Sequence, residues 1–329
     1  MHPALVFGAF PLGLAGTPDG LASGAPDDFG KIFEAVTLLQ GDGPPLLPRM
    51  YVSFDGPAEL ERAFAGVQRI ASPDLAWDLA LSYRDPAGDV DGWADFVGEV
   101  IARHGHQLAA VQVTGEANLA GFPAAADGAY PRATEALIRG VQAAAASKRE
   151  TGATAAIGFA AAFDPDPEAE FWAELGRDGG EPFVESLDYV GVDMYPDVFG
   201  PRIPPEELDR AVGWVLRHFR ERSLSAAGIP ASVPIRICES GWPTGPGRSE
   251  QDQAVAFETI IRAVHRLRGE LNITHWELFT LRDADTAHDD MFRHFGILRD
   301  DYSRKPAFDV IRRLIAELGD RPGAPPMRG

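Results

Sequence analysis

The sequence predicts an α/β protein, a closed (β/α)8 barrel in a single domain, and three observations lead there. Short apolar runs alternate with longer helical patterns eight times along the 329 residues. The loop after the first run lacks the G-x-G-x-x-G phosphate turn, which weakens the competing doubly wound open sheet. No Pro/Gly-rich linker separates two halves, so residues 1–320 read as one barrel domain and only 321–329 as a flexible tail.

Taken in order, the first strand signal is Ala4–Phe10, with a helical pattern near Asp27–Gln40. The second strand fits Arg49–Phe54, before a helix near Pro57–Ile70; the third fits Leu75–Leu81, before Val90–His104. The fourth, Leu108–Thr114, precedes a helix over roughly Tyr130–Thr151, and the fifth, Thr154–Ala161, a short one near Pro167–Leu175. Leu187–Met194 precedes Pro205–Arg222, Pro234–Glu239 precedes Ser249–Arg268, and Ile273–Phe279 precedes Pro306–Leu318. Ser249 and Asp252 form a capping-box pattern ahead of apolar residues that mostly fall at helical spacing. Gly319 stands where a left-handed cap would end the last helix.

Composition bounds the function. Apolar residues make up 45% and charged residues 24%, enough apolar material for a sizeable core. Lys and Arg total 30 against 49 Asp and Glu, and a net charge of -19 repels nucleic-acid backbones and anionic membranes. The single cysteine, Cys238, excludes an internal disulfide and multi-cysteine zinc sites. Strand alternation turns it away from Glu239, as a buried small hydrophobe. No Lys or Arg precedes the apolar part of residues 1–16, and no run approaches the ~20 apolar residues of a membrane span. A cytoplasmic protein is expected. The loop Asp283–Asp290 is rich in oxygen ligands but lacks the spacing of a known metal loop; it reads as a solvated rim, and no metal or cofactor is expected.

In a barrel of this kind, chemistry gathers at the C-terminal ends of the strands. Glu116 ends the fourth run, in Val113-Thr114-Gly115-Glu116-Ala117-Asn118, and Glu239 ends the seventh, in Ile237-Cys238-Glu239-Ser240-Gly241-Trp242-Pro243-Thr244. Strands four and seven face one another across the mouth, so the two carboxyl groups can meet. Glycosidic hydrolysis needs such a pair: one group protonates the leaving oxygen, and the other opposes the cation-like sugar carbon.

These motifs resemble those of the clan A glycoside hydrolases, the retaining (β/α)8 glycosidases, over nearly the whole chain. Cys238–Thr244 is similar to their nucleophile motif E-[TSF]-G-W-P-[ST]. The Glu116 segment is similar to their acid/base motif N-E-P-N, with Asn118 matching its last Asn. Phe295-Gly296-Ile297-Leu298 and Ser303-Arg304-Lys305-Pro306-Ala307 resemble the close of these barrels. The resemblance implies β-glycoside hydrolysis or transglycosylation, with Glu239 as nucleophile and Glu116 as acid/base. It also implies substrate-site roles for Arg49 beside the nucleophile and Trp276 as an aromatic sugar platform. Tyr195 is placed to hydrogen-bond Glu239, and Trp242 either lines the pocket or packs its loop. Trp93, Trp172 and Trp214 sit in helical patterns and read as packing residues.

Two positions depart from the pattern. Gly115 replaces the Asn that bonds the sugar 2-hydroxyl, and Asp193 stands where His or Asn is usual. Gly115 implies a different donor, with Asn118 nearest, a substrate without a free 2-hydroxyl, or lost activity. The alternative function is a non-catalytic carbohydrate-binding barrel. An aldolase or metal-dependent hydrolase would want a strand-end Lys or a His cluster, and neither is evident.

Overall fold

The computed structural model describes residues 5–22, 24–71, 75–166 and 170–319. Strand β1 (Val6–Ala9) is followed by a hairpin, β2 (Ala15–Thr17) and β3 (Gly20–Ala22). Then come β4 (Leu47–Phe54), β5 (Trp77–Tyr83), β6 (Leu108–Gly115), β7 (Ala156–Ala162), β8 (Tyr189–Met194), β9 (Ile235–Ser240) and β10 (Ile273–Leu278). All but the hairpin are parallel and close into an eight-stranded barrel, in the order β1-β10-β9-β8-β7-β6-β5-β4. The intervening helices are α1 (Phe29–Gln40), α2 (Leu60–Ile70), α3 (Val90–His104), α4 (Ala133–Thr151), α5 (Glu170–Val184) and α6 (Pro205–His218). After α6 a π turn over Phe219–Ser223 leads to the short α7 (Leu224–Ala226), then α8 (Glu250–Leu271) and α9 (Pro306–Leu318).

The main core lies between the strands and the helices. Phe7, Val111, Ile237 and Trp276 face outward from the barrel into this core, where Phe257 of α8 meets the Trp276 ring. Burying one such side chain contributes roughly 1.5–3 kcal/mol. The barrel interior is different: it holds charge. Arg49 lies 3.6 Å from Asp78 and 3.9 Å from Glu277, and Arg236 lies 3.7 Å from Asp78. All four are buried. The Arg236 guanidinium also sits 4.0 Å over the Tyr189 ring. Small interior residues make room for these groups; a Cβ on Gly158 would fall 2.5 Å from the Tyr189 carbonyl oxygen.

Local chemistry explains most boundaries. The capping box of α8 forms, with Ser249 accepting from the Asp252 amide and Asp252 accepting from the Ser249 amide. Helix α5 outruns its predicted end at Leu175, because it continues through a kink at Gly180 (φ 57°) to Val184. The expected start of that helix at Pro167, and the tail 321–329, lie outside the described residues. Gly319 is not a left-handed cap: it is extended at φ -78°, ψ 151° and bridges Leu5. Glycine is needed there for close approach, since a Cβ would lie 2.6 Å from the Ile315 carbonyl oxygen. Among the described residues, no helix is long and apolar enough to cross a membrane.

Candidate active site

Glu116 owes its position to an irregular strand end. The β6–β7 register slips between Gln112 and Gly115, and Thr114 and Glu116 both adopt positive φ, 67° and 47°. A left-handed β-branched residue is an outlier that costs about 1–3 kcal/mol, and such strain collects at functional sites. Two buried groups hold the bend. Gln112 Nε2 donates to the Thr114 carbonyl at 2.9 Å, and the Gly115 amide donates to Asp127 Oδ2 at 2.7 Å. The same Asp127 oxygen accepts from the Tyr83 amide, also at 2.7 Å. The bulge turns the Glu116 side chain into a cavity at the barrel mouth.

Glu239 enters that cavity from β9, three strands away around the barrel. Its two oxygens are held by two phenols: Tyr51 donates to Oε1 at 2.5 Å and Tyr195 to Oε2 at 2.5 Å. Burial, reinforced by the Glu239 charge, pushes both tyrosines well above the usual phenol range, so both remain donors. Arg49 does not touch Glu239. Its Nε donates to the Tyr51 hydroxyl at 2.9 Å and its Nη2 to Gln112 Oε1 at 2.5 Å, so it acts on Glu239 through Tyr51.

The carboxyl groups differ in kind. Burial first, then the charges of Glu239 and Asp127, raise Glu116 to about 8. Asp193 is the register partner of Glu239 on β8 and lines the same cavity. Burial, then Glu239 and Glu116, hold it well above the carboxylate range, and its Oδ1 has no hydrogen-bond partner. A neutral Glu116 can give a proton, while Glu239 accepts at both oxygens. That division is the one an acid and a nucleophile require.

Several expected site residues lie elsewhere. Trp276 is fully buried outside the barrel, 5.9 Å from Phe7 and 6.0 Å from Phe257 between ring centroids. Alternation requires this, because its neighbour Glu277 points into the barrel toward Arg49. Phe279, just past β10, lines the cavity instead. Trp242 is buried and packs its own loop: its indole Nε1 donates to Asp197 at 3.3 Å, and Arg202 and Arg248 cover its ring. Asn118 does not line the cavity, and its carboxamide is held on the Ala162 backbone, donating at 2.9 Å and accepting at 3.0 Å.

Other expectations also need correction. Cys238 is buried, but it does not turn away from the interior. The β8–β9 register slips between the Val192 and Asp193 pairs, and Cys238 packs beside Ala110, Ala160 and Tyr189 within the barrel. Asp283 is no rim residue: it is buried and paired with Lys305 at 2.8 Å, and the loop becomes solvated only beyond Ala284. Trp93 and Trp172 are core residues, whereas Trp214 is half exposed. Among the described residues, no group of three or more His, Cys, Asp or Glu is arranged to hold a metal.

The cavity holds about 570 Å³. Beyond Glu116, Asp193, Tyr195 and Glu239, its lining side chains among the described residues are apolar, and six are phenylalanines. Tyr51 and these phenylalanines are the site features that motif reading missed. Tyr51 had a signal: it lies two residues from Arg49 and so shares its strand face.

No family model and no curated protein matches the chain. Solved structures do. A β-glucosidase from Thermotoga maritima in complex with castanospermine aligns with TM-score 0.63 and 13% identity, covering 97% of this chain and 98% of that one. The apo structure of a β-glucosidase designated 1317 aligns with TM-score 0.59 and 17% identity, covering 90% and 89%. A β-glucuronidase from Ruminococcus gnavus in complex with D-glucuronic acid aligns with TM-score 0.57 and 14% identity, covering 95% of this chain and 49% of that one. At these identities the likeness is one of fold: this chain shares the (β/α)8 barrel of these glycosidases.

Proposed function

We propose that the chain is a retaining β-glycosidase or transglycosidase acting by double displacement. One observation carries the reading. Glu116 and Glu239 enter one cavity from two strand ends, the first held protonated up to about pH 8 and the second accepting at both oxygens. In the first step a Glu239 oxygen bonds to the anomeric carbon. The bond to the leaving oxygen breaks, and that oxygen takes the Glu116 proton. The products are a glycosyl ester on Glu239 and a carboxylate at Glu116. In the second step that carboxylate takes a proton from water, the water oxygen bonds to the anomeric carbon, and the ester breaks to free Glu239. An alcohol in place of water gives transglycosylation. Tyr51 and Tyr195 orient the nucleophile, and Asp193 meets the sugar.

The β-glycosidase direction draws support from the barrel shared with β-glucosidases and a β-glucuronidase. Proton NMR of the first-formed product tests it. Initial release of the same anomer as the substrate supports double displacement; initial release of the inverted anomer defeats it. A carbohydrate-binding barrel without catalysis is the second reading, and Gly115 favours it by leaving no side-chain donor beside Glu116. Sugar binding with no turnover of any glycoside would select it.

A further inference from the structure

The cavity divides by chemistry. Its polar side chains among the described residues, Glu116, Asp193, Tyr195 and Glu239, all sit at the ends of β6, β8 and β9. They form the polar floor of the cavity, and the buried, unpartnered Oδ1 of Asp193 remains free to bond a hydroxyl. The wall is built by loops that follow the strands, and it is aromatic. Phe199 stacks on Phe292 at 5.9 Å, and Phe122 lies 6.5 Å from Phe292. Phe163 meets Trp214 edge-on at 5.6 Å, so the apolar strip runs out of the cavity to the surface. Phe199 and Trp214 are 55% and 52% exposed. No Lys, Arg, His, Asn or Gln is among the described residues lining the cavity.

Resting on the glycosidase reading, we propose that the substrate is a neutral monosaccharide linked to a bulky apolar alcohol. The sugar meets the carboxyl floor and the aglycone lies along Phe163, Phe199 and Phe292 toward Trp214. A second sugar against this wall would find no side-chain hydrogen-bond partner among the described lining residues there, so its hydroxyls gain nothing over water. An apolar aglycone gains from the same wall, about fourfold in affinity per fully buried methylene. An anionic sugar would meet the Glu239 carboxylate and find no cation among the described lining residues.

The test compares hexyl β-D-glucoside, methyl β-D-glucoside and cellobiose. Glucose is a better leaving alcohol than hexanol, so intrinsic reactivity works against the expected order. Expected is a kcat/KM for hexyl glucoside at least about tenfold above both others, with Phe199→Ser and Trp214→Ser each lowering the hexyl-to-methyl ratio several-fold. Equal values for the three, or a preference for cellobiose, would overturn the inference and leave the glycosidase reading intact. If none is turned over, the glycosidase reading fails on this sugar, and calorimetry with hexyl and methyl β-D-thioglucoside decides the site separately. Tighter binding of the hexyl compound, weakened by Phe199→Ser, supports the aglycone wall; equal or absent binding overturns it.

Discussion

The Tyr51 hydroxyl donates to Glu239 Oε1 at 2.5 Å, joining residues 188 positions apart in the chain. Behind Tyr51 stands Arg49, and behind Arg49 the buried charges of Asp78 and Glu277. The interior of the barrel therefore reaches Glu239 through the Tyr51 phenol. Removing that hydroxyl in Tyr51→Phe, or its counterpart in Tyr195→Phe, leaves one Glu239 oxygen unsupported. A hydrogen bond to a charged group contributes about 1.5–3 kcal/mol. We expect kcat to fall by about ten- to a hundredfold in each variant, with the thermal midpoint nearly unchanged in Tyr195→Phe and lowered in Tyr51→Phe, which also leaves the buried Arg49 Nε without its acceptor. Steady-state kinetics beside calorimetric melting checks this.

Arg49→Ala acts differently. It leaves Glu277 buried without its cation and Asp78 with Arg236 alone, and breaking a buried pair costs about 3–5 kcal/mol. The expected result is a large loss of stability in denaturant titration, with the Tyr51→Phe defect added in whatever folds.

The pH dependence follows from Glu116. Its proton is needed in the first step, and its pKa is raised from 4.5 to about 8. The profile of kcat/KM should fall as pH rises through about 8, and Glu116→Gln should remove that limb. Stability carries the same sign. A carboxyl group whose folded pKa is raised contributes fully below about 4.5, and that contribution is lost as pH rises through about 8. Glu116→Gln should therefore gain thermal midpoint over the wild type at pH 9 relative to pH 4. A variant that follows the wild type at both pH values counts against an unusually protonated Glu116.

The two glutamates should fail in different ways. Glu239→Ala removes the nucleophile, and azide can fill the space to give the glycosyl azide of opposite configuration. Glu116→Ala should lose about 10²–10⁴-fold on poor leaving groups but spare the first step for activated aryl glycosides, which need little protonation. Identical responses of the two variants to leaving group and azide would show the roles misassigned.

Gly115 has room for a side chain. A Cβ there would meet Ser82 Oγ at 3.6 Å, the Ala125 carbonyl oxygen at 3.7 Å and Asp127 Oδ1 at 3.9 Å, ordinary contacts all. With Asn118 tied to Ala162, no donor replaces the missing Asn from that segment. We expect wild type to process 2-deoxy or 2-substituted aryl glycosides at least as well as the plain ones. Gly115→Asn should shift the preference toward the free 2-hydroxyl. A wild type with strong preference for the plain glycoside contradicts this.

Much of this was legible in the sequence, for identifiable reasons. Eight apolar runs at regular spacing implied the barrel, and helix ends with strong local chemistry, such as Ser249 and Pro306, fell within a residue of expectation. Glu116 and Glu239 were readable because each ends a strand. What alternation alone could not decide was which way a residue faces where the register slips. Cys238 lies beside such a slip, whereas the platform role of Trp276 came from the resemblance, against the alternation that sends Glu277 inward. The β2–β3 hairpin is two three-residue strands, too short for a periodic signal. The aromatic wall comes from loops scattered over more than 170 positions, from Phe122 to Phe295, which only the fold brings together.

The central claim is that Glu239 forms a covalent bond to the sugar. Incubation with a 2,4-dinitrophenyl 2-deoxy-2-fluoro-β-glycoside, followed by intact-mass measurement and peptide mapping, tests it most directly. The fluorine slows breakdown of the ester, and the activated leaving group lets it form. One fluoroglycosyl group per chain, mapped to the peptide containing Glu239 and absent in Glu239→Gln, is the expected result. Turnover of glycosides by a chain that acquires no label, or a label carried by another residue, would contradict it.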